Sequence, residues 1–493
     1  MKSCMARALI LVLVISAMPM PAVAAAPLAA LPATIRVNIS GLGVLYARIG
    51  SLSGLLAVTG ADGGRIYEGY LATNIRLGVK RLADPSQAAA KVPEGVPSDE
   101  RRELVREVRE ARRRALIDEV PIVTVPFEFS VEQPGWDPLS PPLISAQRMV
   151  PMHFEASDGQ LMYNGRIFRG TFDLTQDDEG DMILVNEVDT ASYLASVVGS
   201  EEPTTWMPEA LAAQAIAART YLATHLRRHR TYDLEGDTRD QEYAGFTGEA
   251  TSTVRAVERT AGIIATYRGA PIEALYSANA GGHTENSENV YVNALPYLRA
   301  VPSPADEEAD RTTWARTSWQ WRQEYTAPEL RAYLWARGID VGELRNIEVT
   351  RVSGTGRVLG SRIIGSTGTR EVGKDAARFF FGLRSTLFTV SVRGEESEFL
   401  GTADVTRIRE LELLGATRER TFYGVRDPDR QRFRPTGWSY RLPARFVFEG
   451  RGYGHGVGMS QWGAQGMALA GASAEEILKH YYQGIALTNI GGP

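Results

Sequence analysis

Glu201 and Glu202 stand side by side where a helical pattern runs into Pro203. From Thr190 to Glu202 the apolar residues Leu194, Val197 and Val198 recur at helical spacing. Glu201 falls four residues after Val197 and seven after Leu194, so its carboxyl group points along the buried stripe. Proline stops the helix at that point. A carboxyl group facing an apolar wall has its charged form disfavoured, which raises its pKa and suits general-acid work near neutral pH. Glu202 lies four residues after Val198, so periodicity leaves the choice between the two open, and most helix-end glutamates are solvated surface groups.

A second chemical feature is the run Arg451-Gly452-Tyr453-Gly454-His455-Gly456-Val457-Gly458-Met459-Ser460-Gln461-Trp462-Gly463-Ala464, in which glycine takes every second position from 450 to 458. Missing side chains along one edge let a bulky polar polymer approach main-chain N–H and C=O groups, and they leave His455 sterically free. The same glycines equally suit a kinked strand packed tightly into a helix. No Gly-x-Gly-x-x-Gly register passes through them and no Walker lysine follows, which argues against a nucleotide site.

The full wording of this run, followed by Ile477-Leu478-Lys479-His480-Tyr481-Tyr482-Gln483-Gly484, resembles the C-terminal signature of the stage II sporulation protein D (SpoIID/LytB) family. Two further blocks carry the same resemblance in the family's order. One is Tyr193-Leu194, Val197-Val198, Ser200-Glu201 and Pro203, then Trp206 and Pro208-Glu209-Ala210-Leu211 through Arg219-Thr220-Tyr221. The other is Ser277-Ala278-Asn279-Ala280-Gly281-Gly282-His283-Thr284-Glu285-Asn286. The resemblance covers roughly residues 160 to 490. It implies a cell-wall protein, and its active members are lytic transglycosylases that cut peptidoglycan glycan strands.

The family's Ser-Glu-Met-Pro motif places its catalytic glutamate at Glu201 and puts Glu202 where methionine is usual. That departure brings a second carboxyl group beside the acid, either raising the Glu201 pKa further by like charge or turned out to solvent. Most retaining glycosidases need two carboxyl groups, whereas the implied reaction uses the C6 hydroxyl of the muramic sugar as nucleophile, so one suffices and no cofactor is required. Ser200, Trp206, Gln214, Arg219, Tyr221, His283, Tyr453, His455, Gly456, Ser460 and Gln461 are the candidate substrate-binding residues on the matching motifs. For Trp206, Gln214, Arg219 and Tyr221 a supporting role in the core stands beside that reading. Some members hold a metal through a Cys/His cluster after the long helix; here Glu235 and Asp240 stand at the cysteine positions, with His225 and His229 nearby. Hydrogen bonds and ion pairs in place of a metal are the expectation, and a metal-dependent hydrolase is the rival. A non-catalytic enhancer of a cell-wall amidase is the second rival implied by the resemblance, and the amidase is then the expected partner.

The elements around these residues frame the chemistry. Lys2 and Arg7, the apolar run Ala8 to Ala17 and Ala22-Val23-Ala24 follow the plan of a signal peptide over 1–26, too short to span a bilayer, so an exported protein of the periplasm or cell wall without a later membrane span is expected. The only cysteine, Cys4, lies in that leader, so disulfides and a cysteine nucleophile are excluded from the mature chain. Without Lys2 and Arg7, 52 basic residues face 59 acidic ones, and no basic patch argues for nucleic acid.

With 493 residues and 44% hydrophobic content the chain suits several domains of α+β class. Residues 27–155 read as a β-rich module, with Thr34-Ile35-Arg36-Val37-Asn38-Ile39 alternating and a charged helix over about 99–118. Residues 156–493 read as a mixed α/β catalytic core that opens with a β-meander and then two helices, the second running from Pro208 to about His229 with Leu211, Ala215, Ala218, Leu222 and Leu226 inward. Within it, 305–392 reads as an α/β insertion with a Thr326-x-x-Glu329 capping box, and 393–440 as an added excursion.

Overall fold

The computed structural model describes residues 28–41, 46–77, 127–131, 144–148, 150–177, 181–226, 229–401, 405–413, 416–426 and 433–492. The expected leader and the charged helix lie outside these residues. The chain is α+β. Among the described residues twelve strands precede the first helix: β1 (Thr34–Asn38), β2 (Tyr46–Ser51), β3 (Leu56–Thr59), β4 (Arg65–Gly69), β5 (Thr73–Leu77), β6 (Phe127–Val131), β7 (Ile144–Arg148), β8 (Met152–Ala156), β9 (Gln160–Tyr163), β10 (Arg166–Arg169), β11 (Thr171–Gln176) and β12 (Met182–Asp189). With β13 (Leu234–Glu235) they make two sheets, in the orders β13-β1-β12-β11-β8-β3-β4 and β10-β9-β2-β5-β6-β7.

Both sheets mix strands from either side of residue 155. β1 pairs antiparallel with β12, Thr34 opposite Asp189, and β2 with β9, Ile49 opposite Tyr163. The boundary expected there therefore runs through the sheets. A strand with one neighbour satisfies only half of its backbone groups, and here β1 takes both of its neighbours and β2 one of its two from beyond residue 155. Alternation sets the buried face: β3 turns in Leu56 and Val58, and β11 turns in Phe172 and Leu174. β12 is buried on both faces, with Leu184 and Val188 in the main core and Ile183 and Val185 against Tyr232.

Helix α1 (Thr190–Glu201) starts directly from β12, where the Asp189 side chain accepts the Ser192 N–H at 2.9 Å, and Glu202 terminates it in extended conformation. Helix α2 (Pro208–His225) begins on proline and ends at His225, four residues earlier than its pattern suggested. It is buried on all sides. Leu211, Ala215, Ala218 and Leu222 enter the core beneath the sheets, as expected, while Ala210, Ala213, Ile216 and Ala217 enter a second core with Val457, Met459, Ala464, Ile477 and Tyr481. Small alanines let both layers close onto one helix, which is why no single apolar stripe describes it.

A third core holds Leu330, Leu334, Ile347, Ile363, Phe381, Phe446 and Phe448. Its sheet places Arg445–Arg451 between Gln320–Thr326 and Phe388–Arg393, so the strand that leads into the glycine run is anchored in this unit. The Thr326/Glu329 capping box forms, and Gly338 at φ 79° closes the far end of that helical segment. Strands Glu396–Gly401, Thr417–Arg426 and Phe433–Leu442 form a separate sheet, over a small core of Leu400, Leu411, Tyr440 and Leu442.

Candidate active site

Three stretches distant in sequence converge on Glu201. Tyr276 and Ser277 pair in parallel with Met459 and Ser460, and bridges join Asn279 to Tyr453 and Glu285 to Val457. The glycines allow this docking. Gly452, Gly454, Gly456 and Gly458 have φ of 80°, 106°, 73° and 75°, and a Cβ on the last three would overlap Ser277, the Arg357 guanidinium and the Leu275 carbonyl oxygen respectively. Of the two readings left open by their spacing, close packing within the protein accounts for them.

The Glu201 carboxyl group is half-buried at the end of α1, with three donors around it. Its Oε1 accepts the Glu242 backbone N–H at 3.0 Å and the Tyr276 hydroxyl at 3.2 Å, and its Oε2 accepts the Gln461 side-chain amide at 3.3 Å. Tyr276 is itself oriented: its oxygen accepts from Gln241 Nε2 at 3.0 Å, while Gln241 Oε1 accepts from Tyr193 at 3.0 Å. Burial holds both phenols well above their ordinary pKa, so they remain donors. The Glu201 pKa is raised, by burial first and by the Glu242 carboxylate to a lesser degree, against the opposing pull of the three donors.

Glu202 points inward. It is 2% exposed, and neither carboxyl oxygen has a hydrogen-bond partner among the described residues. Burial, reinforced by the Glu201 charge, pushes its pKa well above the ordinary range. Of the two alternatives for Glu202, solvent exposure is thus excluded; the group is a buried acid whose charged form is disfavoured.

Of the expected substrate-binding side chains, Gln461 touches Glu201. Trp206 lies edge-on to Trp462, centroids 4.8 Å apart, half-buried among three apolar clusters. Ser200 donates to the Ser196 carbonyl at 2.8 Å and accepts the Ala244 N–H at 3.2 Å. Ser460 caps the following helix, α3 (Gln461–Leu469), and donates to the buried Asp306. Gln214 is fully buried inside α2. Arg219, fully buried, donates to the Val257 and Ile263 carbonyls and Thr260, and burial lowers its pKa to about 10. Tyr221 stacks on His225 and donates to Asp240 at 2.8 Å.

The remaining expected residues lie along the docked glycine run. Tyr453 is exposed, with the Arg384 guanidinium 5.2 Å from its ring, and His283 is exposed beside Pro302. His455 accepts the Val457 N–H on Nδ1 at 3.0 Å, and burial, aided by the Arg378 charge, pushes its pKa down to about 4, so it stays neutral. Gly456 receives the Glu285 N–H on its carbonyl at 2.7 Å. Tyr276, Gln241 and Glu242 were missed in the sequence, because nothing in their local spacing connects them to a helix end some forty or more residues away.

His225, His229, Glu235 and Asp240, the residues considered for a metal, make contacts with other protein groups. Glu235 pairs with Arg239 at 2.7 Å and accepts from Asn38 and Tyr232, while Asp240 accepts the Tyr221 hydroxyl and the Glu235 N–H. His225 faces Glu273 at 3.6 Å and His229 stacks on Tyr232. Of the four residues of the metal-hydrolase alternative, Glu235 and Asp240 are joined through the Glu235 N–H, and His225 and His229 stack on Tyr221 and Tyr232, the phenols that donate to Asp240 and Glu235. Among the described residues no group of three or more His, Cys, Asp or Glu is arranged to hold a metal.

Comparison with known proteins agrees with the motifs. Residues 178–267 match the family described as Stage II sporulation protein (SpoIID), and residues 293–406 match a family described as a domain of unknown function. The chain is 29% identical to an uncharacterised protein of Brachyspira hyodysenteriae over 68% of its own length and 76% of the relative's. It is 29% identical to Stage II sporulation protein D of Bacillus amyloliquefaciens, over 62% of this chain and 75% of that protein. It is also 29% identical to a protein of Bacillus subtilis named Amidase enhancer, covering 60% of this chain but 40% of that protein.

Proposed function

We propose that this chain, which carries a SpoIID-family domain, is an exported lytic transglycosylase of peptidoglycan with Glu201 as its single acid/base. The observation that carries the reading is the Glu201 environment: burial favours the acid form, while three converging donors receive the carboxylate. Such a group can give up a proton and take one back in a single cycle. Oε1 already accepts two donors, so the transferable proton belongs on Oε2.

Glu201 protonates the glycosidic oxygen as its bond to C1 of the muramic sugar breaks. The resulting carboxylate takes the proton of that sugar's C6 hydroxyl as its oxygen bonds to C1, leaving a 1,6-anhydro end and restoring the acid. The positive charge developing at C1 is balanced by the carboxylate formed beside it. Tyr276, Gln461 and the Glu242 N–H hold that carboxylate in place.

The relative named Amidase enhancer favours a second reading, in which the same cleft binds glycan without cutting it and a cell-wall amidase is the partner. One experiment separates the two. The mature protein and its Glu201→Gln form are incubated with glycan strands lacking stem peptides, and the products are analysed by mass spectrometry. Anhydro-muramic ends from the native protein alone support the transglycosylase; retained binding with no cleavage by either supports the enhancer.

A further inference from the structure

Trp314 is 67% exposed, so much of its aromatic surface is open to solvent. It stands at the edge of an aromatic cluster that leads to the candidate acid. Its ring centroid is 5.7 Å from that of Trp462, tilted by 50°. Trp462 in turn meets Trp206 and directly follows Gln461, whose amide reaches Glu201 Oε2.

The platform is rigidly based. Ala309, Ala315, Trp319 and Trp462 form a buried cluster next to it, with Trp206 packed against them. The Thr312 carbonyl accepts the Ala315 and Arg316 N–H groups at 2.9 and 3.0 Å, which fixes the backbone on either side of Trp314. Nearby in sequence, Arg316 pairs with Asp310 at 3.3 Å, both well exposed. One exposed ring offers far less apolar area than a protein interface, which buries a contiguous patch. It does suit a pyranose ring, whose C–H face is apolar and whose hydroxyls project sideways towards hydrogen-bonding groups.

We infer that Trp314 is a sugar-stacking subsite on the approach to Glu201, taking a pyranose ring of the glycan strand on its open face. This rests on the glycan-cleaving reading above and extends it by a residue outside the stretch matched to the SpoIID family.

The test uses the full mature chain carrying Glu201→Gln, so that strands stay intact, and measures affinity for a stem-peptide-free glycan oligosaccharide by calorimetry. Adding Trp314→Ala should weaken binding by about 3- to 10-fold, the range of an aromatic stacking contact, while Trp314→Phe keeps most of it. A melting temperature unchanged from the parent shows that the fold is intact, as expected for an exposed ring. In the otherwise native chain Trp314→Ala should raise KM and leave kcat unchanged. If the parent binds glycan and Trp314→Ala binds equally well, the subsite is refuted and the proposed function survives. If the Glu201→Gln parent binds no glycan, the glycan reading falls, and the subsite with it.

Discussion

Replacing Glu202 by methionine should stabilise this protein, by an amount that grows with pH. Both carboxyl oxygens of Glu202 are buried without a partner among the described residues. A neutral polar group in that state costs about 1–3 kcal/mol, and methionine, unbranched and adaptable, fills a similar space without the cost. The charged form is disfavoured far more, which is why the folded pKa lies well above the ordinary one.

The sign of the pH dependence follows from that direction. The unfolded chain releases this proton near pH ~4.3, whereas the folded chain keeps it. The folded state therefore binds more protons above that pH, and stability is fully present below the unfolded pKa and falls as pH rises towards the folded one. The loss is about 1.4 kcal/mol per pH unit. Glu202→Met removes this slope. The assay is urea unfolding at pH 4.0, 5.5 and 7.0, followed by tryptophan fluorescence, to which Trp206 and Trp462 contribute from close to the site. The expected result is a gain of about 1–3 kcal/mol at pH 4 that widens at the two higher values. A gain independent of pH, or a loss at every pH, would refute the assignment of Glu202 as a buried neutral acid.

Three other perturbations address neighbouring parts of the site. Tyr276→Phe removes a donor to the Glu201 carboxylate and should lower kcat about 10- to 100-fold, the worth of one hydrogen bond to a charged group, with binding of glycan by the inactive Glu201→Gln background little changed. Glu242→Gln keeps the backbone N–H on Glu201 but removes a charge that raises its pKa, so the alkaline fall in activity should move to lower pH; an unmoved limb in the pH–rate profile would count against that coupling. Gly456→Ala forces a Cβ into the Arg357 guanidinium at a φ of 73° and should cost roughly 2–5 kcal/mol in urea unfolding, far more than Gly338→Ala, where nothing lies within 4 Å of the added atom.

The helix-stop pattern before Pro203 placed Glu201 at a helix end, where the structure has it, and the periodicity of Val197 and Leu194 anticipated that it would turn partly inward. The same periodicity was blind to the orientation of Glu202, because the helix ends at Glu201 and the next residue adopts an extended conformation, where helical spacing no longer applies. The α2 pattern captured one buried face and missed the other, since alanine gives no amphipathic contrast when a second layer covers it. The glycine alternation marked a special backbone but was silent on its cause, which lies in Ser277, Leu275 and Arg357, residues brought there from other segments.

What the sequence by itself determined is local: the helix stop at Pro203 and the capping box at Thr326, the chemical types at the site, and the motif wording that ties the chain to its relatives. These depend on neighbours within a few turns of chain, and local physics reads them directly. Only the tertiary structure decided which of those groups meet. The donors to Glu201 come from Glu242, Tyr276 and Gln461, separated from it by 41, 75 and 260 residues. The burial that raises its pKa comes from the packing of distant segments, and β1 and β2 take partners from beyond residue 155. Contacts of that separation are selected by burial and backbone satisfaction over the whole chain at once, and no local pattern in the sequence records them.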